Sequence, residues 1–431
     1  MKRILSIFAL LMAAPVAAQT VAITGGTVVI GDGSDPIPGG TVVIRNGRVV
    51  SAGAGAPPAD AQIVDATGKW VTPGLVGGFT RLGLVEVGAV SDTNDVQAGQ
   101  SPFNAGLDIA PAVNPLGSPI ATNRTGGITR AIVAPGADGA IFAGQGAIID
   151  LGSDMEPIMR ARAFQFVELG ESGADEAGGS RAASFTALRY ALDEAQRYAR
   201  NPSGYDGNSE DSLLNRRDAA ALAEGVRGRM PLLVHVEQAR DIVNVLGLKR
   251  DYPSLELVLV GVSEGWTVAD RIAAAGVPVI ANALNDLPSA FERLAATQSN
   301  IGRMRDAGVE VAIGQLNDSD THNVRYATQY AGNLVALTRV PGHTGLDWNE
   351  AFAAISSGPA EIMGLGSEIG SLRPGRRADV VIWDGDPLEL SSNVDMMLID
   401  GVQQPLVSRQ TRLRDRYRTI DENQLPEAYE W

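Results

Sequence analysis

Between residues 73 and 365 continuously apolar runs alternate with amphipathic ones, and few architectures accept that rhythm. The apolar runs are GLVGGF (74–79), TRAIVAP (129–135), GAIIDLG (146–152), AFQFVELG (163–170), PLLVHVE (231–237), LELVLVG (255–261), VPVIAN (277–282) and VEVAIG (309–314). Amphipathic segments fall between many of them, including SFTALRYALDEAQRYAR (184–200), TVADRIAAAG (267–276) and DWNEAFAAISSGPAEIMGL (347–365). Strands buried on both faces and interleaved with helices predict a parallel sheet covered by helices. About eight such units in about 290 residues predict an α/β fold built on a (β/α)8 TIM barrel. The third strand is the loosest part of the pattern, since IFAGQGAIID (141–150) also suits an inserted hairpin.

On either side of the barrel the pattern changes to short β runs punctuated by glycine. In the first such region Asn46-Gly47 separates TVVIR from RVVSAG. Both residues tolerate the positive φ of a two-residue hairpin turn. A similar pattern returns near Gly370 in ADVVIWDGDPLEL and VDMMLIDGVQQPLV. A β unit divided between the chain ends predicts one composite β-sandwich domain, with parts at 19–72 and 366–407 around a barrel at 73–365. Residues 408–431 read as a charged helical tail packing loosely on the body.

The opening MKRILSIFALLMAAPVAA, residues 1–18, has two basic residues, an apolar run and small residues at its end. It predicts a signal peptide cut after Ala18. The apolar run is shorter than the roughly 20 residues that cross a bilayer. The expected location is periplasmic or secreted, with no membrane attachment after cleavage. A net charge of −15 argues against nucleic acid as a partner. With no cysteine there is neither a disulfide framework nor a thiol nucleophile. The glycines of GGTVVIGDG lack the strand-to-helix context of a dinucleotide site, and neither a P-loop nor a Gly-x-Ser-x-Gly elbow occurs.

Several stretches resemble the amidohydrolase superfamily of metal-dependent hydrolases, in particular its imidazolonepropionase-like and dipeptidase-like branch. They are ATGKWVTPGLVGGFTRLGL, LLVHVEQARDI, AAAGVPVI and, most specifically, GPAEIMGLGSEIGSLRPGRRADVVIWDGDPLE. The resemblance implies a barrel with a composite β domain and hydrolysis of C–N bonds by water on divalent metal. It also implies two metal-binding histidines from the first strand, one each from the fifth and sixth, and an aspartate from the eighth. A carboxylated lysine or a glutamate bridges where two metals bind.

Against that pattern this chain is short of ligands. It has three histidines, His235, His322 and His343, and only His235 lies at a matching position. Phe79 and Arg81 stand for the first-strand pair, Gly77 for the aspartate before it, Gly261 for the sixth-strand histidine, and Gln315 or Leu316 near the eighth-strand aspartate. The lysines, Lys2, Lys69 and Lys249, lie where none can bridge. A glutamate bridge through Glu168 or Glu171 stays open, as does a reading of them as solvated loop acids. Arg81 cannot ligate a metal, being always protonated. It either occupies the metal's volume, paired with Glu171 or a nearby acid, or points to solvent.

Two functions follow from these residues. The first is a non-catalytic binding protein with a degenerate metal centre and no cofactor. It would take a small amide or peptide-like ligand and act alone, as a homo-oligomer, or beside an active homologous subunit. The second is an active hydrolase of C–N bonds with a metal-free site or a relocated single zinc. Its catalytic residues would be His235 as base, oriented by Glu237 or Glu171, with Arg81 stabilising the oxyanion. A relocated metal would draw on His235, Glu171, Asp318, Asp320 and His322.

Overall fold

The computed structural model describes residues 20–207, 209, 212–283, 285–316 and 322–418. The signal-peptide expectation for 1–18 and the last part of the tail, 419–431, lie outside the described residues. Among those described, no helix is long and apolar enough to cross a membrane.

The composite domain is built from both ends of the chain. Strands β1 (Thr20–Val28), β2 (Ile37–Arg45), β3 (Arg48–Gly53), β4 (Gln62–Asp65) and β5 (Trp70–Pro73) come from the first segment. Eight barrel strands, numbered next, intervene, and β14 (Val380–Trp383), β15 (Val394–Ile399) and β16 (Val402–Gln403) return to the same sheet. Its order is β16-β15-β14-β5-β1-β2-β3, with β4 beside β1. Asn46 and Gly47 take φ of 54° and 70° at the β2–β3 turn, as their side chains allow. Hydrogen bonding runs unbroken through all eight strands, so the expected sandwich is one sheet. Ile23, Val42, Val71, Val380 and Leu398 from both wings share a single core.

The second sheet runs β6 (Leu75–Thr80), β7 (Ile128–Val133), β8 (Phe142–Asp150), β9 (Ile158–Glu168), β10 (Leu232–Val236), β11 (Leu257–Gly261), β12 (Val279–Ala281) and β13 (Val311–Ile313). Neighbours are parallel except at β8, which is antiparallel to both β7 and β9. The all-parallel barrel is therefore corrected at its third strand, where the hairpin reading of 141–150 holds. The run from β7 to β9 has no intervening helix to turn the chain round, and a short connection can only reverse a strand.

A segment expected to be helical closes the barrel. Residues 347–365 form two helices, Trp348–Ala353 and Ser357–Ile362, not one. Between them Ala354 accepts a hydrogen bond from Ile313 N (2.9 Å) and Ile355 one from Val76 N (3.0 Å). Backbone that satisfies a sheet edge cannot also continue a helix. Further up the same seam Gln315 N donates to the Phe79 carbonyl at 3.1 Å. Gly78 permits this approach, because a Cβ there would lie 2.3 Å from the Ile313 oxygen.

Strand alternation sets which side chains reach the mouth. In β10, Leu232, Val234 and Val236 pack outward against helices, and Leu233 packs inside the barrel. His235 falls on the inner face by the same period of two, at the strand's C-terminal end. The helix Arg181–Arg200 supplies much of the outer layer, capped at its start by Ser180 and burying Leu188, Leu192 and Ala195.

Candidate functional site

Ligand sites in such barrels lie at the C-terminal ends of the strands. There β6 brings Phe79 and then Arg81, β9 ends in Phe166 and Glu168, and β10 leads through His235 to Glu237. Phe79, Arg81, Phe166, Glu168 and His235 surround a cavity of about 250 Å³, completed by Ser172, Arg293 and Leu316. A more open outer chamber shares Arg81, Glu168 and Ser172 with it and reaches His322.

His235 is held on both nitrogens. Its Nδ1 lies 2.5 Å from Glu168 Oε1 and its Nε2 3.1 Å from Glu237 Oε1. Glu237 is buried and fully engaged: Oε1 also meets Arg293 Nη2 at 3.0 Å, and Oε2 accepts from Ser263 N at 2.8 Å. Burial would disfavour a charged imidazole, but the two carboxylates outweigh it and push the His235 pKa well above the ordinary value. Burial would likewise raise Glu237, yet its bonds to His235 and Arg293 hold its carboxyl below the usual range. A carboxylate oxygen at each ring nitrogen thus favours the imidazolium form. A doubly bonded imidazolium has no lone pair with which to accept a proton or ligate a metal.

The first-strand pair is equally committed. Phe79 is 2% exposed, its ring 5.3 Å from that of Phe166. The Arg81 guanidinium lies over both rings, 5.4 Å and 5.6 Å from their centroids, and its Nη1 donates to the Ala134 carbonyl at 2.8 Å. Arg81 therefore faces the cavity instead of projecting into solvent.

Glu171 does not join His235. Its carboxylate pairs with Arg181 at 3.5 Å and its backbone N–H donates to Glu292 Oε2 at 2.7 Å. The acids that bond His235 are Glu237 and Glu168, the latter three residues before Glu171 in the same VELGESG stretch. Of the relocated-metal set, Asp318 and Asp320 lie outside the described residues, and His322 lines the outer chamber. Arg293, which lines the cavity, and its neighbour Glu292 are residues that sequence reasoning missed. They sit in the loop after β12, where the side chains that turn inward follow no period.

An amidohydrolase family model matches residues 216–403. The structure of an amidohydrolase from Thermotoga maritima MSB8 superposes on 90% of this chain and 100% of its own, with TM-score 0.78 at 24% identity. The amidohydrolase tasK of Hapsidospora irregularis is 22% identical over 84% of this chain and 39% of its own length. The imidazolonepropionase of Maricaulis maris (strain MCS10) is 31% identical over 36% of each. These likenesses together support the amidohydrolase superfamily for this chain. It spans less than half the length of these two curated relatives.

The superfamily's metal does not fit the residues that occupy its place here. Among the described residues no group of three or more His, Cys, Asp or Glu could hold a cation. Gly261, at the sixth-strand ligand position, has φ +93°, and a Cβ there would lie 2.8 Å from both Glu237 Oε1 and His235 Cδ2. The volume a ligand would use is filled by the carboxylate–imidazole pair. A Cβ at Gly77 would lie 2.5 Å from Val324 Cγ1. Gln315, near the eighth-strand aspartate position, is buried with both side-chain polar atoms unpartnered. Restoring histidine at position 261 is accordingly expected to lower stability by about 2–3 kcal/mol, through overpacking and a left-handed backbone, without creating zinc affinity. Chemical unfolding of Gly261→His with and without zinc measures both effects.

Proposed function

We propose that this amidohydrolase-superfamily chain binds a small ligand at its barrel mouth and does not run the metal-dependent hydrolysis of its relatives. The Glu168–His235–Glu237–Arg293 chain carries the reading, since it fills the metal's place with charges that satisfy one another. We place the protein outside the cytoplasm, on the character of residues 1–18. The same reading covers service beside a metal-loaded homologue or as a second copy of itself. A catalytic role for His235 as base is not supported, because its proton is held by two carboxylates.

The test is turnover on a panel of N-acyl amino acids, dipeptides and lactams, with added zinc or manganese and with a chelator. No hydrolysis above buffer is expected in either condition. Hydrolysis that appears with metal and is lost on chelation overturns the reading.

A further inference from the structure

The connection after β12 turns two kinds of side chain in opposite directions. Arg293 goes inward to Glu237 at 3.0 Å, and Glu292 accepts from Glu171 N at 2.7 Å. Leu287, Phe291 and Leu294 face solvent, 76%, 80% and 63% exposed. Large apolar side chains gathered in water on one short connection favour burial against another surface. A groove of about 600 Å³ lies close by on the Arg181–Arg200 helix. Ala182, Ala183, Ala187 and Tyr190, which share one helix face, line it together with Leu213. Leu213 and Tyr190 also stand exposed, the latter with the Arg197 guanidinium 5.7 Å from its ring centroid. Arg181 Nη2, where that helix starts, lies 4.0 Å from Glu292 Oε2, so the groove opens beside the apolar knob.

Charge, area and arrangement point to a second copy of the chain as the occupant. No residue that lines the groove is charged, and neither are Leu287, Phe291 and Leu294. Copies of net charge −15 can therefore meet here with no charged side chain at the centre of the contact, as interface cores require. The knob, Leu213 and Tyr190 together expose about 600 Å² on each copy, so that pairing covers about 1,200 Å², the lower edge of stable specific interfaces. One chain supplies both a knob and a groove, side by side, and a two-fold rotation matches such a pair twice. We infer that two copies of this chain pair about a two-fold axis, the Phe291 knob of each seated in the helix groove of the other. The connection that carries the knob also sends Arg293 to Glu237, so pairing holds one wall of the mouth in place. The inference goes beyond the proposed binding role and does not depend on it.

Sedimentation velocity of the full chain tests it. A dimer is expected at about 100 μM, above the micromolar Kd at the weak end for interfaces of standard size. F291D removes the knob and L213K spoils the groove, and each is expected to weaken pairing by about thirty-fold or more, the effect of one lost hot spot. L390E, at a comparably exposed leucine of the composite domain, is expected to leave pairing unchanged. An equimolar mixture of F291D and L213K keeps one knob and groove intact and sets opposite charges at the other. It is expected to pair more tightly than either variant alone. Near-UV circular dichroism confirms that each variant is folded, and F291S or L213S replaces one that is not. A monomer at that concentration, assembly beyond the dimer, pairing that survives both variants, dissociation by L390E, or no recovery on mixing overturns the inference. Each of these leaves the binding role standing. Metal-dependent turnover removes the binding role and leaves the pairing untouched.

Discussion

Replacing Arg130 by methionine is expected to cost about 3–5 kcal/mol of folding stability at neutral pH, the range for breaking a buried ion pair on one side. Arg130 sits inside the barrel at the end opposite the mouth and is 1% exposed. Its Nε and Nη2 donate to the two carboxylate oxygens of Asp379 at 2.7 Å and 2.8 Å. Nη2 also meets Asp400 at 2.9 Å, and Nη1 meets Asp150 at 3.5 Å. Asp379 and Asp400 belong to the composite domain, so one guanidinium from β7 ties the two domains together. Methionine keeps the length of the side chain and removes the charge, leaving three aspartates facing one another. Burial would raise Asp400, but Arg130 and Arg377 hold its carboxyl below the ordinary range. That contribution is present above the unfolded carboxyl pKa and is lost as pH falls through the lower folded value. The deficit of the variant should therefore shrink in acid. Urea unfolding at neutral and acid pH measures it, and a neutral-pH loss below about 1 kcal/mol, the level of a surface pair, contradicts this account.

The second large effect is at the mouth. His235→Leu is expected to cost about 3–5 kcal/mol at neutral pH, because Glu168 and Glu237 lose the cation between them. Wild-type stability should also fall in alkali for a reason the variant lacks. The folded His235 pKa is raised, so its contribution is complete below the unfolded value of about 6.5 and is lost as pH rises through the folded value. The variant's deficit should narrow above that pKa, and again in acid as pH falls through the lowered folded value of Glu237. Unfolding free energies from about pH 5 to about pH 9, either side of the ordinary imidazole pKa, show whether the difference curve has this shape. A deficit independent of pH would assign His235 a packing role only.

Much of the barrel is legible in the sequence because buried strands are apolar on both faces. PLLVHVE and LELVLVG lie on β10 and β11, and VPVIAN and VEVAIG lie on β12 and β13. The reversal of β8 is less legible, since apolar content marks a strand and says nothing of its direction. The break at 354–355 is hidden for another reason. Apolar periodicity continues across it, and only the unmet edges of β6 and β13 explain why the backbone leaves the helix.

At the site, what is missing reads more easily than what replaces it. The residues at 77, 79, 81 and 261 differ by identity alone from the ligands that the family resemblance implies. The sequence offers Glu237 or Glu171 to orient His235; Glu237 lies at Nε2, whereas at Nδ1 strand alternation selects Glu168, which falls on the inner face with Phe166 and Phe164. Arg293 comes from a loop, where no period marks the inward side chain, and only the fold brings it to Glu237.

The most direct test is a cation search in crystals of the full chain soaked with zinc, using anomalous scattering at the zinc edge. Ordered Glu168, His235 and Glu237 in mutual contact, with no anomalous peak among them, is the predicted outcome. A fully occupied zinc ligated by His235, with its carboxylate contacts broken to make room, would contradict the central claim that internal ion pairs have taken the metal's place.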